Sequence, residues 1–394
     1  MAKRQIPLNL KDAKAEIVYH SFQEELVKTL LITFSEKRRV LSTLEGFKEV
    51  RFVGNHYNPP FLWDYIHKNY QEYLNWLPHT LNIPKDDIAY LSTGADIDNL
   101  AVAEKIYEDF KVICLATAGV EGNAQRLGED EAQNIERDGK FEKEEGTINL
   151  IILTNTYLAD GAMARTIITA TEAKTAVLQD LDIRSTYTPL ENQATGTGTD
   201  NMIVISGKGE KISYVGGHTK MGELIARAVK DAVFKAIEKQ NSIISERGLE
   251  KRLAERGISL KELVDTALFL YIPDPKIGSK NQVKNLLQAE FKKVFKDLNV
   301  CSLVMTGLYL KECARRGTIP ELPQEKYKRY PVDLIADKLL GIQIAEYIGG
   351  SRALFEFERY DKKKPGTLKK LSPFLDDIMG GLIAGTLVKV CSAK

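Results

Sequence analysis

The sequence predicts an α/β layered N-terminal domain, a mixed sheet with packed helices, followed by an all-α C-terminal domain. Three patterns carry this expectation. Apolar and polar residues alternate at period two in short stretches between 16 and 58, the mark of half-buried strands. Strand and helix signals then alternate as far as Lys239, as a layered α/β domain requires. Beyond about Gln240 strand signals stop and 3.6-residue periodicity takes over. The domains are placed at 1–240 and 241–394.

In order, Glu16–His20, Thr29–Phe34 and Val50–Tyr57 read as strands separated by polar turns. A helix is expected from Phe61 to Leu77, carrying both tryptophans, and a strand over Asp87–Ser92 that runs into Thr93-Gly-Ala-Asp96. The residues from about Ile97 to Phe110 are expected to be helical, and Val112–Thr117 a fully buried strand ending at the glycine turn 118–123. Charge density makes 126–145 a solvated loop; Gly146–Thr154 resumes as a strand and a helix follows from about Asp160. The helix closing this half carries an apolar stripe at Met221, Leu224, Ile225, Ala228, Val229 and Val233. In the second half helices are expected over Leu249–Arg256, Leu260–Tyr271, Asn281–Asp297, Leu303–Arg315, Pro331–Ile348 and Asp376–Val390, broken at Gly and Pro.

Composition narrows the function. The 394 residues are 43% apolar, enough for two ordinary cores. Fifty-five basic against 54 acidic side chains leave a net charge of +1 and give no reason to expect a nucleic acid as partner. Four cysteines without a CxxC pair argue against a disulfide framework or thiolate zinc site and fit a reducing cytoplasm. No signal-like apolar segment opens the chain, and the longest apolar runs fall short of the roughly 18 residues a membrane span needs.

Chemistry concentrates between Thr169 and Lys220. Thr169-x-x-Glu172 is either a capping box or a general acid or base at a helix start. Thr195-Gly-Thr197-Gly-Thr199-Asp200 lacks the Walker lysine and precedes a strand, so a phosphate cradle is disfavoured; three hydroxyls and open amides suit a polar ligand or an oxyanion hole. His218, after two glycines and before Thr219 and Lys220, stands at a helix N-terminus and is either structural or a proton-transfer group. Thr93–Asp96, Ala118–Asn123 and Gly146–Asn149 are expected as further walls of one pocket.

Thr117-Ala-Gly, Gly146-Thr-Ile-Asn149, Thr169-Ala-Thr-Glu-Ala-Lys174, Ala194-Thr-Gly-Thr-Gly-Thr-Asp200 and Gly217-His-Thr-Lys220 together resemble the adenosylcobinamide amidohydrolase family of corrinoid salvage, over roughly 15–235. The resemblance implies hydrolysis of the aminopropanol amide of adenosylcobinamide to adenosylcobyric acid. Glu172 or His218 would then transfer protons, Asp200 would orient, and Thr199 would act with the loop at the oxyanion. Thr93, Asn123, Asn149, Thr195, Thr197 and Lys220 would contact substrate. The Asp-x-His-x-x-Gly pattern of cobalamin carriers is absent, so the corrinoid is expected as substrate, and no cofactor is implied for this half.

In the second half Asp333 and Asp337, four apart, share a helix face, and Asp376 and Asp377 open the last helix. With Asp361 these carboxylates could converge on Mg²⁺, while Arg359 and Lys362–Lys364 are available to a phosphate; the alternatives are helix capping and a solvated lysine run. Tyr330–Asp337, Phe357–Gly366 and Pro373–Gly385 resemble the phosphatidylglycerophosphatase A-like family, and more closely its archaeal α-ribazole-5′-phosphate phosphatase branch, over about 245–391. Asp337-Lys338 stands where that family commonly has Asp-Glu, which puts metal binding in doubt. The resemblances together imply a bifunctional corrinoid-salvage hydrolase of archaeal type, cytoplasmic, acting on a corrinoid and on α-ribazole phosphate. The alternatives are an amidohydrolase with an impaired phosphatase half, a phosphatidylglycerophosphate phosphatase, and a corrinoid-binding protein without hydrolysis.

Overall fold

Period-two alternation draws the first 57 residues into four successive antiparallel strands: β1 (Ala2–Ile6), β2 (Ala13–Phe22), β3 (Glu25–Ser42) and β4 (Gly46–Tyr57). The computed structural model describes residues 1–132, 147–329 and 334–392. It divides into two compact units, Met1–Thr188 with Asn192–Ser245, and Pro189–Glu191 with Glu246–Lys394.

In the first unit, helices α1 (Trp63–Lys68) and α2 (Tyr70–Thr80) replace the single helix expected over Phe61–Leu77. The break falls at Asn69, whose φ of −125° is not helical and whose side chain donates to the Tyr65 carbonyl. Strand β5 (Ile88–Thr93) pairs in parallel with β4. The helix expected over Ile97–Phe110 is not formed. A single 3₁₀ turn at Ile97–Asn99 is followed by β6 (Ala101–Tyr107), which turns through Glu108, at a left-handed φ of 49°, into β7 (Phe110–Ala118). Ala101 and Ala103 are buried and Val102 and Glu104 less so, a period-two pattern that small residues had hidden. Then come β8 (Ala124–Gln125), β9 (Ile148–Thr154), β10 (Tyr157–Leu158), α3 (Asp160–Asp180), β11 (Gly196–Thr197), β12 (Asn201–Ile205), β13 (Lys211–Ile212) and α4 (Lys220–Asn241). Most of the loop expected over 126–145 lies outside the described residues.

Among the described residues nine strands form one mixed sheet, β1-β2-β3-β12-β9-β7-β6, with β4 and then β5 on β3. β3 is long enough to pair with β2 along Glu25–Phe34 and with β12 along Val40–Ser42. The sheet curls there, so that Ile17, Leu30, Ile32, Val53 and Leu91 of one half share an apolar cluster with Ile113, Leu115, Ile151, Leu153 and Ile203 of the other. The outer face of β6, β7, β9 and β12 is covered by α3 and α4, whose buried stripes join Val112, Cys114, Leu150 and Ile152. The apolar stripe expected from Met221 to Val233 is this buried face of α4.

The second unit is helical: α5 (Leu249–Ala254), α6 (Leu260–Leu270), α7 (Lys280–Val294), α8 (Leu298–Arg315), α9 (Gln324–Lys328), α10 (Ala336–Gly349), α11 (Arg352–Lys363) and α12 (Leu375–Ser392). Helix α12 is buried on nearly all sides, as an all-round apolar helix at a core must be. Glycines let α10 approach it closely: a Cβ on Gly381 would meet the Gly341 carbonyl, and one on Gly349 would meet that of Gly385. α9 and α11 were not foreseen, and α8 begins five residues before Leu303, where Asp297 caps it by accepting from the Asn299 and Val300 amides. Among the described residues no helix is long and apolar enough to cross a membrane.

On the outer face of β2–β4, under α1 and α2, lies a buried polar chain. Tyr73 donates to Asn58 Oδ1 (2.8 Å) and therefore accepts from His56 Nε2 (2.5 Å); His56 Nδ1 accepts from Thr29 (2.7 Å), whose oxygen accepts from His20 Nε2 (2.8 Å). His20 Nδ1 is left buried without a partner, and the ring stacks on Trp76. Burial lowers the His20 pKa to about 4, from an ordinary 6.5. The unfolded chain therefore binds the extra proton first, so this stabilisation is complete above about pH 6.5 and lost as pH falls towards 4. Tryptophan fluorescence, which reports this unit because Trp63 and Trp76 both lie in the cap, should show the thermal midpoint falling across that window. The loss should be on the order of 2 kcal/mol after allowance for screening, and H20Q, which keeps a donor to Thr29 but does not titrate, should flatten it.

Candidate functional site

The inner face of the curled sheet is apolar along most of its length and becomes polar at one end. Side chains alternate across a strand, so the positions two residues beyond Val53, Leu91 and Leu115, and two before Ile151 and Ile203, also face inward. They are Asn55, Thr93, Thr117, Asn149 and Asn201. Thr117, Asn149 and Asn201 are adjacent in register across β7, β9 and β12. The Asn149 amide donates to Asn55 Oδ1 (2.9 Å) and to the Ser92 carbonyl (2.7 Å), and Asn55 donates to the Thr117 hydroxyl (2.9 Å). Asn55, Thr93, Thr117 and Asn149 are all 2% exposed or less, so this layer is closed and internally bonded.

The Thr195–Asp200 loop is built onto that layer. Thr147 donates to the Thr199 carbonyl (2.5 Å), the Ile148 amide donates to Asp200 Oδ1 (3.0 Å), and the Gly198 amide donates to the Asn123 carbonyl (3.2 Å). β11 pairs with β8, bringing Gly196 and Thr197 beside Gln125 and Ala124. Asp200 is saturated. Oδ1 also accepts from the Thr197 hydroxyl (2.6 Å), and Oδ2 accepts from the Thr197 amide (3.1 Å) and from the ammonium of Lys174. Lys174, 6% exposed, has that one carboxylate as ion-pair partner among the described residues. A carboxylate with four donors is an orienting group; an ammonium with three protons and one partner keeps capacity for another ligand.

Lys174 was quoted within a motif and given no role. Its signal is positional: Ala162, Thr166, Ala170, Lys174 and Leu178 form the buried i, i+4 row of α3, and a lysine on such a row needs a buried anion. Asn55 and Asn149 carry the same kind of signal, as amides at inward strand positions.

Of the residues singled out from sequence, Thr93, Asn123, Asn149, Thr195, Thr197, Thr199 and Asp200 lie in this layer or the loop built on it. Thr93 accepts from the Ala95 amide (3.0 Å), and Thr195 from the Leu127 amide (3.0 Å). Thr169 and Glu172 do not form a capping box, because both lie in the middle of α3, where Thr169 donates to the Val215 carbonyl (3.0 Å). Glu172 is exposed and makes no side-chain hydrogen bond or ion pair among the described residues. His218 is also exposed and rests on Tyr214, with ring centroids 5.3 Å apart, just before Thr219 caps α4. Lys220 pairs with Glu223 (2.5 Å) and lies 4.7 Å from the Tyr107 ring centroid. Tyr107 pairs with Phe110, at the end of β7 remote from Thr117, so Lys220 sits at the other end of the sheet from Asn149.

In the second unit Asp337, Asp376 and Asp377 are buried, at 3%, 3% and 6% exposure. Asp376 and Asp377 open α12 as expected, and Asp333 lies outside the described residues. Burial, then the charges of Asp376, Asp361 and Asp337, push the Asp377 carboxyl up to about 8. Lys364 pairs with Asp376 (2.5 Å), and Lys338 with Asp361 (2.9 Å) and Glu358 (3.3 Å). Arg359 is held by Glu356 (2.7 Å) and the Leu270 carbonyl (3.0 Å). Among the described residues no three His, Cys, Asp or Glu side chains form a ready metal cluster. Asp377 Oδ1 is nevertheless buried without a hydrogen-bond partner, and the surrounding donors are carboxylate oxygens, the set a hard divalent cation takes.

The first unit is thus a curled α/β sheet with a closed polar layer and a buried lysine–aspartate pair. The family profile for adenosylcobinamide amidohydrolase matches residues 13–245. The chain belongs to the adenosylcobinamide amidohydrolase family. It is 52% identical over 250 residues to uncharacterized protein MJ1613 of Methanocaldococcus jannaschii, covering 60% of this chain and 97% of that protein. Uncharacterized protein MJ1330 of the same organism is 32% identical over 131 residues, 32% of this chain and 98% of its own. Among solved structures, a protein of unknown function from Bacillus stearothermophilus is 24% identical, with a TM-score of 0.32, covering 37% of this chain and 95% of that one.

The loop predicts its own sensitivity. A Cβ on Gly196 would intrude on Asp200 Oδ2 and the Lys174 ammonium, whereas one on Gly217 would meet nothing within 4 Å. Gly196→Ala should therefore lower turnover at least about tenfold, with Gly217→Ala near wild type, as measured by product formation and thermal midpoint side by side.

Proposed function

We propose that the first unit hydrolyses the amide joining the aminopropanol arm of adenosylcobinamide to the corrin ring, at the Lys174–Asp200 end of the sheet. The observation that carries this reading is the buried ammonium of Lys174, held by a saturated carboxylate of the threonine–glycine loop. Hydrolysis requires a stabilised oxyanion and a proton for the departing amine. The Lys174 ammonium, with protons that Asp200 does not take, meets the first need by facing the oxyanion. Lys174 meets the second: it gives a proton to the amine nitrogen as the C–N bond breaks, and recovers one from the water whose oxygen ends in the new carboxylic acid. Asp200 fixes the lysine and its charge. Asn123, with Tyr187 donating to its Oδ1 (3.3 Å), offers amide recognition at the rim.

The test is product mass after incubation of the purified chain with adenosylcobinamide. Lys174→Ala should lower kcat by about a hundredfold or more, and Asp200→Asn by less. Glu172→Gln and His218→Ala, both exposed, should stay near wild type. Full activity in Lys174→Ala would overturn the assignment, and loss in His218→Ala alone would move the chemistry to the start of α4.

A second reading concerns the other unit, where the partnerless Oδ1 of Asp377 favours a metal-dependent phosphatase acting on α-ribazole 5′-phosphate. Asp337, Asp376 and Asp377 would hold Mg²⁺, which supplies charge neutralisation for a phosphoryl group, and Lys364 lies beside them for the phosphate. Because folding buries a carboxyl with its pKa raised from 3.8 to about 8, Asp377→Asn should raise the thermal midpoint of the metal-free chain at neutral pH. The same variant should abolish any stabilisation by Mg²⁺. A wild-type midpoint indifferent to Mg²⁺ would count against the metal.

A further inference from the structure

Two helices of the second unit carry apolar residues on both of their faces. On α8 the core side is Val300, Val304, Gly307 and Leu308, and the opposite side repeats at Leu298, Ser302, Met305 and Tyr309. On α10 the core side includes Gly341, Ile344, Ala345 and Ile348, and the opposite side runs from Ile335, just before the helix, through Leu339 and Ile342 to Glu346. Both outward stripes have the alternating four- and three-residue steps of a helix-packing seam. Leu298 is 78% exposed, Tyr309 55%, Ile335 62% and Leu339 52%. Between Asp297 and Lys311 α8 has no charged side chain, and α10 has none between Lys338 and Glu346. A helix with one side in solvent is normally charged there, and one apolar all round belongs in an interior.

The two helices lie side by side on α12 and run antiparallel. Gly307 of α8 approaches Ile378, and Gly341 of α10 approaches the carbonyl of Asp377, its neighbour on α12. At the far end Asn299, early in α8, donates to the Tyr347 hydroxyl, late in α10 (2.7 Å), and that hydroxyl donates to Asp297 (3.2 Å). The outward stripes therefore make one face. With Tyr347, itself 51% exposed, it leaves roughly 600 Å² of apolar side chain open, at the top of what a monomer carries and close to the ~800 Å² that each partner of a stable complex buries.

The charges at the ends of this face select its partner. Arg316, just past α8, and Glu346, late in α10, are exposed and have no ion-pair partner among the described residues. Because the helices are antiparallel, these two lie at opposite ends. A two-fold axis running across the helices exchanges the ends, so Arg316 of each copy comes to the end that holds Glu346 of the other. A membrane surface would call for a basic rim, whereas this face ends in one unpaired charge of each sign. We infer that α8 and α10 form the interface of a homodimer, a second copy of the chain laying its own α8–α10 pair on this one about that axis. The apolar stripes then bury one another as the facing helices of a four-helix bundle do.

Sedimentation equilibrium of the full chain tests this, and the mass of two chains is expected at about 10 μM. Leu339→Glu and Tyr309→Glu, at positions more than half exposed in a single chain, should each weaken association at least about a hundredfold with helical circular dichroism retained. Either variant suffices if the other does not fold. Arg316→Glu or Glu346→Arg alone should weaken association about tenfold, and the two together should restore it. Recovery on reversing both signs requires pairing between copies, since the two residues stand at opposite ends of one chain's face. Three results would overturn the proposal: a one-chain mass up to roughly 100 μM, a two-chain mass that neither glutamate variant shifts, or a double exchange no better than the single ones. A one-chain mass together with binding to phosphatidylglycerol vesicles would give the face to a membrane instead.

Discussion

The side-chain amide of Asn149 is the constraint on which the first unit depends. It donates to Asn55 on the facing half of the sheet and to the Ser92 carbonyl on β5, so it ties the two halves together where the apolar core stops. A buried polar layer is tolerable only when its members satisfy one another, and Asn55–Thr117 and Thr147–Thr199 complete this one. The consequence is positional. With the start of β9 fixed, the Ile148 amide holds Asp200, Asp200 gathers the Thr197 turn, and Lys174 has one place to put its charge. Reactive groups held by a rigid strand end, and not by loop geometry alone, keep the precision that chemistry needs.

The layered α/β first half and the helical second half were legible because their hydrophobic periods differ, and the long-period helices α3, α4 and α12 stood close to where expected. The failures have local causes. β6 reads as helix because Ala101, Ala103 and Glu104 are good helix formers, and pairing with β7 overrides that preference. α11 was missed because its apolar face is narrow: Ala353, Phe357 and Tyr360 are its buried residues among many charges. The threonine–glycine loop and Asp200 were legible as a polar centre. Glu172 was read at an expected helix start and lies instead in the middle of α3, while His218 stands before α4 as expected; both are exposed. Lys174 was legible as a buried residue from its place on the i, i+4 row of α3.

The second unit solves a like-charge problem in a different way. Its aspartates are buried at the start of α12, where the helix N-terminus favours negative charge, yet they raise one another's proton affinity. Lys364 and Lys338 relieve part of this from the end of α11 and the start of α10. Lys338, at the position where an acidic neighbour was anticipated, therefore lowers the net negative charge available to a cation. Burial and the neighbouring carboxylates raise the Asp377 carboxyl to about 8, so protonation there relieves part of the repulsion near neutrality.

The two ends of the curled sheet differ in a way that stability alone does not require. At the Asn149 end the Asn55 and Asn149 amides find partners, and Lys174 keeps free capacity. At the Arg38 end the guanidinium is brought in from solvent, given one carboxylate, and left with a buried Nη1 unmet. A leucine or methionine there would fill the same volume without the desolvation of a charge. Folding thus tolerates an unmet donor on a buried cation that stacks on Phe34 and pairs with Asp12 on the inner face of the sheet.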